Sequence, residues 1–173
     1  FNEPGSQINS STRLMLLGSE SRHNFAKLFH SNEAVPHSAI TMGISTLLGA
    51  KKVIVVGWGE TISPYVRQAI EAPASDTVPA SFLQSHKESK FVLDLSSAEH
   101  LTRLSTPWLV TSCEWDDKLI RRAIVWLCRI TGKPILKLTN KDYNDNGLSE
   151  LLALFGSAYN VNIKIFNDLQ HTI

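Results

Sequence analysis

The chain has 173 residues, 43% of them apolar and 19% charged, with 17 basic and 16 acidic side chains giving a formal net charge of +1. That length fits one domain or slightly more, with a real buried core. A near-neutral balance with no long run of one sign excludes nucleic acid as the main partner, no apolar run reaches the ~18 residues of a membrane helix, and no signal peptide is read at the start, so the expectation is a soluble, cytoplasmic protein.

In chain order, residues 1–18 carry little periodicity and read as loop, with a short strand at 14–17. Residues 19–30 read as a helix, capped by Ser19 and with Phe25, Leu28 and Phe29 as its apolar face. A strand or turn at 39–42 enters a helix over 43–49. The run 52–56 is apolar and β-branched from Val53 to Val56, as a strand covered on both faces should be. A turn at 57–61 leads into a helix through about Glu71, which Ala72-Pro73-Ala74 closes; another helix starts at 79–84. Residues 91–95 form a second buried strand.

Beyond about residue 105 the α/β rhythm continues. Residues 108–110 read as a strand. Asp116 or Asp117 caps a helix reaching Thr131, ended by Gly132 and Pro134, with Leu119, Ile120, Ala123, Ile124, Leu127 and Ile130 as its buried stripe. A short strand at 135–138, a turn at 144–147, a helix at 148–155 and an alternating strand at 161–166 complete the chain. Cys113 and Cys128 have no metal spacing and read as reduced core thiols.

The turn Gly57-Trp58-Gly59-Glu60-Thr61 carries a chemical argument of its own. A glycine-containing loop between a buried strand and a helix lets backbone N–H groups approach an anion, and the helix N-terminus favours negative charge. A phosphate held by Gly59, Glu60 and Thr61 is one reading; a tight strand–helix turn with Thr61 as N-cap is the other. No histidine pair makes a metal motif, and His37, His100 and His171 have no partners at ligand spacing, so neither metal nor cofactor is expected. His23 and His30 lie on the helix with Lys27. Arg121-Arg122 reads as a solvated face or a subunit contact.

Phe1-Asn2-Glu3-Pro4, followed by Ser11-Thr12-Arg13, resembles the central signature of the glucosamine-6-phosphate deaminase/isomerase family. Val35-Pro36-His37-Ser38-Ala39-Ile40-Thr41-Met42-Gly43, then Thr46-Leu47-Leu48 and Ala50-Lys51-Lys52-Val53, continue the match in family order. Ser81-Phe82-Leu83-Gln84-Ser85-His86 resembles the family's Ser-x-Leu-Gln-x-His segment, mainly a structural loop.

The resemblance implies an α/β fold, a Rossmann-like, mainly parallel sheet flanked by helices and truncated at its N-terminal side. Residues 1–104 would be the second half of a deaminase-like sugar-phosphate domain, and 105–173 an α/β C-terminal extension packed on it. The implied activity is that of an isomerising hydrolase converting an amino-sugar phosphate to a ketose phosphate and ammonia, in a homo-oligomer. In the family the general-base Asp and the ring-opening His precede the Phe-Asn-Glu-Pro segment, and neither is present here. Glu3, on its own a solvated carboxylate, matches the family Glu that supports that His. Lys27 stands where the family has an Arg over the site. Ile62 stands where it has a Lys that contacts phosphate, so that contact is missing. Arg13 matches an Arg of an allosteric phosphate site, but Met15 replaces a Lys of that site, so no such regulation is expected. The alternative is a non-catalytic sugar-phosphate-binding or oligomerisation module, which Ile62 favours.

Overall fold

Of the chain, the computed structural model describes residues 1–170, so His171 lies outside the described residues. The fold gathers into two units, Phe1–Leu101 and Thr102–Ile173, and the strands among the described residues are all in the first.

Unit 1 is a mixture of helix and sheet. Strand β1 (Arg13–Leu16) pairs antiparallel with β2 (Ser38–Thr41), Arg13 opposite Thr41. Between them α1 (Ser19–Phe25) starts at Gly18 rather than being capped by Ser19, and it ends five residues before the expected His30. Nothing covers Leu28, which is 72% exposed, and α1 buries no residue deeply. A short helix without a packed face has little to extend it. Helix α2 (Ile44–Leu48) follows, as expected from the 43–49 pattern.

Strand β3 (Val53–Gly57), a 3-10 turn at Glu60–Ile62 and α3 (Ser63–Glu71) come next. Residues Pro79–Ser85 form a 3-10 segment instead of an α-helix, and β4 (Ser89–Leu93) pairs parallel with β3, Val53 opposite Ser89 and Gly57 opposite Leu93. The two apolar runs are therefore both strands, and they pair with each other in parallel. The second begins two residues before the expected 91 and ends two residues before the expected 95, because Asp94 caps α4 (Leu95–Ala98) instead of continuing the strand.

Cover on both faces is not what this unit provides. Along β3, Ile54 and Val56 are 57% and 60% exposed, while the alternate residues are partly covered. The opposite side is where the core forms, around Ile44, Val66, Ala69, Leu83 and Ala98. Three fully buried serines sit among them, each with partners. Ser63 Oγ accepts from the His100 amide, Ser81 Oγ accepts from the Ser75 amide, and Ser97 Oγ donates to the Gly57 carbonyl.

Unit 2 is helical throughout its described regular structure, which corrects the α/β rhythm read beyond residue 105. Its helices are α5 (Thr102–Ser105), α6 (Asp117–Thr131), α7 (Asn140–Asp145), α8 (Ser149–Phe155) and α9 (Ala158–Gln170). The expected strand at 108–110 is a 3-10 turn at Pro107–Leu109, and that at 135–138 is another at Ile135–Lys137. Pro107 and Pro134 stand at the head of each run, where proline favours a turn entry and removes a ladder donor.

The third expected strand, 161–166, is the middle of α9. Ala158, Val161, Asn162 and Ile165 are buried, which is the i, i+3, i+4, i+7 spacing of a helical stripe. Helix α6 follows its sequence signals: Asp116 accepts from the Leu119 amide at 2.6 Å, and Gly132 ends it in the left-handed conformation. Cys113 and Cys128 are free and only partly buried, and burial pushes both thiols up.

Candidate active site

The segment Phe1-Asn2-Glu3-Pro4-Gly5-Ser6 is held from several sides. The Ser6 amide donates to the Glu3 carbonyl at 3.0 Å, closing a turn over Pro4 and Gly5. Gly5 has φ of 91°, a backbone conformation that side chains disfavour, and its amide reaches the Asp76 carbonyl at 2.8 Å. Arg13 braces the segment: Nη1 donates to Asn2 Oδ1 at 3.3 Å and Nη2 to the buried Ser6 hydroxyl at 2.8 Å. Asn2 Nδ2 in turn reaches the Met42 carbonyl at 2.9 Å. Arg13 is thus engaged in structure, with Met15 Sδ 3.9 Å from Nη2.

Glu3 points its carboxylate at the start of α1. Ser21 Oγ donates to Glu3 Oε1 at 2.5 Å. Gly18 lies beneath the other oxygen, since a Cβ there would stand 3.2 Å from Oε2. A carboxylate at a helix N-terminus is favourably placed in the helix dipole. The Phe1 and Phe25 rings meet at a centroid distance of 5.5 Å, so the same helix grips the segment twice. Lys27 lies just past the end of α1, exposed and with no ion-pair partner among the described residues.

The turn after β3 is built around Gly59, whose φ of 87° suits glycine. Its amide donates to both carboxylate oxygens of Asp94, each at 3.2 Å. Asp94 Oδ1 also takes the Ser97 amide at 2.7 Å, and hydrogen bonding from the Ser97 side chain first, then from the Ser97 and Gly59 amides, holds the Asp94 carboxyl below its ordinary pKa. The N–H group expected to reach an anion is therefore committed to one inside the chain. Thr61 caps neither helix: Gly59 precedes the 3-10 turn, and Ile62 precedes α3 with no side-chain cap. Ile62 lies over the strand end, its Cδ1 2.8 Å from where a Gly57 Cβ would be.

Among the described residues no hydrogen bond or ion pair joins Glu3, Lys27 and the 59–61 turn to one another; Glu3 is tied to α1, the turn to α4. The Ser81–His86 segment is bracing. Gln84 Nε2 donates to the Ala69 and Ala72 carbonyls at the end of α3, and His86 Nε2 to the Ala50 carbonyl at 2.7 Å while its Nδ1 accepts from the Glu88 amide. Sequence reasoning missed Ser21, Asp94 and Ser97. Asp94-Leu95-Ser96-Ser97 carries an N-cap signature that could have been found; Ser21 carries none.

No protein-family model matches the chain. Over its full length it is 66% identical to a protein of Bacteroides thetaiotaomicron named as glucosamine-6-phosphate deaminase-like, and it spans 26% of that protein. It is 40% identical over 103 residues to a glucosamine-6-phosphate deaminase of Rhodopirellula baltica, 60% of this chain and 41% of the other. A deaminase of Shewanella loihica is 41% identical over 101 residues, 58% of this chain and 38% of the other. The chain thus spans less than half the length of these relatives. In structure it is similar to a monomeric glucosamine-6-phosphate deaminase, with a TM-score of 0.56 and 34% identity over 57% of this chain and 41% of that one. With the Phe-Asn-Glu-Pro segment held from several sides and these likenesses in both sequence and structure, the chain is a relative of the glucosamine-6-phosphate deaminase family.

Proposed function

We propose that the chain is part of a glucosamine-6-phosphate deaminase-like enzyme, converting an amino-sugar phosphate and water to a ketose phosphate and ammonia. The observation that carries this reading is Glu3, whose carboxylate is fixed between Gly18 and Ser21 in the segment that matches the family signature. The chemistry requires an opened sugar ring, a proton moved between adjacent carbons and ammonia expelled. A histidine that opens the ring must carry charge transiently, and a carboxylate beside it fixes its tautomer and stabilises that charge. In this reading Glu3 serves a histidine outside this chain. Lys27 supplies a cation for the phosphate. The 59–61 turn contributes the Glu60 and Thr61 amides and the Thr61 hydroxyl, the Gly59 amide being engaged with Asp94.

The same reading makes unit 1 part of a larger Rossmann-like sheet in a cytoplasmic homo-oligomer. Supporting it are the bare apolar faces of both small sheets, at Leu14, Leu16 and Ile40 and at Ile54, Val56 and Val92. No described helix is long and apolar enough to cross a membrane.

The test is ammonia release from glucosamine 6-phosphate by the longer polypeptide carrying this chain. Glu3→Gln should cut turnover by roughly 10²–10⁴-fold with little change in melting temperature, and the 173-residue chain alone should release none above buffer. Unchanged turnover in Glu3→Gln removes the role of Glu3.

A second reading, a non-catalytic sugar-phosphate-binding or oligomerisation module, is favoured by Ile62 packed over Gly57 and by Asp94 occupying the Gly59 amide. Ile62→Lys separates the two. In a working deaminase the added cation should lower KM for a phosphorylated amino sugar by about ten- to a hundredfold, as expected for a contact of about 1.5–3 kcal/mol, and change kcat less. Lost thermal stability without that gain supports the second reading.

A further inference from the structure

We infer that Ser21 is a positioning residue for Glu3, and that by holding one carboxylate oxygen it fixes the direction in which the other faces the reacting partner. The inference rests on the reading of Glu3 as a member of the active site. The backbone of the Glu3 segment is fixed by its turn, by Asn2 and by Arg13, but none of those contacts touches the carboxylate. Among the described residues Ser21 is the single hydrogen-bond partner of that side chain.

Without Ser21 the Glu3 side chain, with its three rotatable bonds, is free to turn about a fixed backbone. With the Ser21 hydroxyl on Oε1 at 2.5 Å, Oε2 is left to accept from a second donor. Gly18 completes the arrangement, because a side chain there would crowd Oε2 at 3.2 Å. Ser21 and Phe25 lie one helical turn apart on α1, and both face the same segment, Ser21 on Glu3 and Phe25 on Phe1. The aromatic contact docks the helix, and the hydroxyl orients the carboxylate. These are separable jobs, so removal of the hydroxyl should misplace Glu3 without detaching α1.

The experiment compares Ser21→Ala, Ser21→Thr and Glu3→Gln, with the double variant Ser21→Ala/Glu3→Gln, in the full-length polypeptide. Ser21→Ala should lower kcat roughly ten- to a hundredfold, the scale of a misplaced catalytic group, with KM within about twofold. Ser21→Thr, which keeps a hydroxyl, should restore most of it. In the Glu3→Gln background the alanine should cost nothing further, because a positioning residue has nothing left to position. If Glu3→Gln abolishes turnover but Ser21→Ala matches the parent, the role of Ser21 is overturned and the reading of Glu3 stands. If Glu3→Gln is as active as the parent, the reading of Glu3 fails first.

A second measurement needs no turnover. In the 173-residue chain the carbon resonance of the Glu3 carboxyl should move in Ser21→Ala and stay near its position in Ser21→Thr. Amide exchange over 22–25 should be little changed in either, since Phe25 still docks the helix. A Glu3 resonance indifferent to Ser21→Ala overturns the inference whatever the enzyme does.

Discussion

Asp94 receives the Gly59 amide on both carboxylate oxygens, at 3.2 Å each, while also capping α4 through the Ser97 amide. One side chain therefore joins the ends of two adjacent parallel strands to the helix that follows the second. Asp94→Ala should loosen both turns together and lower the melting temperature of unit 1 by several degrees. Asp94→Asn, which keeps an acceptor for one of the two amides, should fall in between. Circular dichroism melts of the three proteins check the order, and equal melting temperatures would count against the clamp.

Gly43 and Gly49 flank α2 and should differ in their tolerance of alanine. A Cβ on Gly43 would stand 2.2 Å from the Ser10 carbonyl oxygen and the Ser11 carbonyl carbon, both backbone atoms, whereas one on Gly49 would meet nothing nearer than 3.5 Å. Gly43→Ala should cost at least the ~1–3 kcal/mol of an overpacked core, read as a lower urea midpoint. Gly49→Ala should be near neutral.

In unit 2 the fully buried Tyr143 donates to Asn162 Oδ1 at 2.7 Å, and Asn162 Nδ2 donates to the Leu138 carbonyl at 2.9 Å. Burial raises the Tyr143 pKa, so the phenol stays protonated and donating across the ordinary range. Tyr143→Phe leaves Asn162 Oδ1 without its donor and should destabilise by about 1–3 kcal/mol. Chemical denaturation of the variant against the parent measures it.

Lys133, then the Thr139 amide and hydroxyl, hold the Asp142 carboxyl down to about 2 from 3.8. A carboxylate with a depressed folded pKa stabilises fully above its unfolded value, and that stabilisation is lost as pH falls through the folded value. The melting temperature should therefore decline between about pH 4 and pH 2 from this group, and Asp142→Asn should flatten that part of the profile. A profile unchanged by the substitution would remove Asp142 from the acid transition.

Some of this was legible in the residues and some was not, for identifiable reasons. Helix α6 was legible because cap, stripe and terminating glycine agree at Asp116, Ile120 to Leu127 and Gly132. The β3 run was legible because four consecutive apolar residues, three of them valine, have few alternatives to a strand; that Ile54 and Val56 stay bare depends on what packs there, which no local pattern encodes. The 161–166 segment alternates like a strand, yet with no strand in unit 2 among the described residues to pair with, the buried stripe of Ala158, Val161, Asn162 and Ile165 makes it helix. Glu3 was found through its motif, whereas Ser21 sits 18 positions away and becomes its partner only once α1 folds back.

The pairing of Val53 with Ser89 has a consequence for how the chain acquires its shape. A parallel ladder cannot close until the connecting helix and 3-10 segment are made, so its loop entropy is spent before its contacts form. Unit 2, assembled from successive helices with mostly short connections, carries no such delay. Refolding should accordingly be biphasic, with helical signal in unit 2 recovered first and the opposite face of the pair, Val55 and Phe91, which folding partly covers, accessible to a hydrophobic dye in the interval. Chaperone dependence, if the chain shows it, belongs to that interval and to that strand pair.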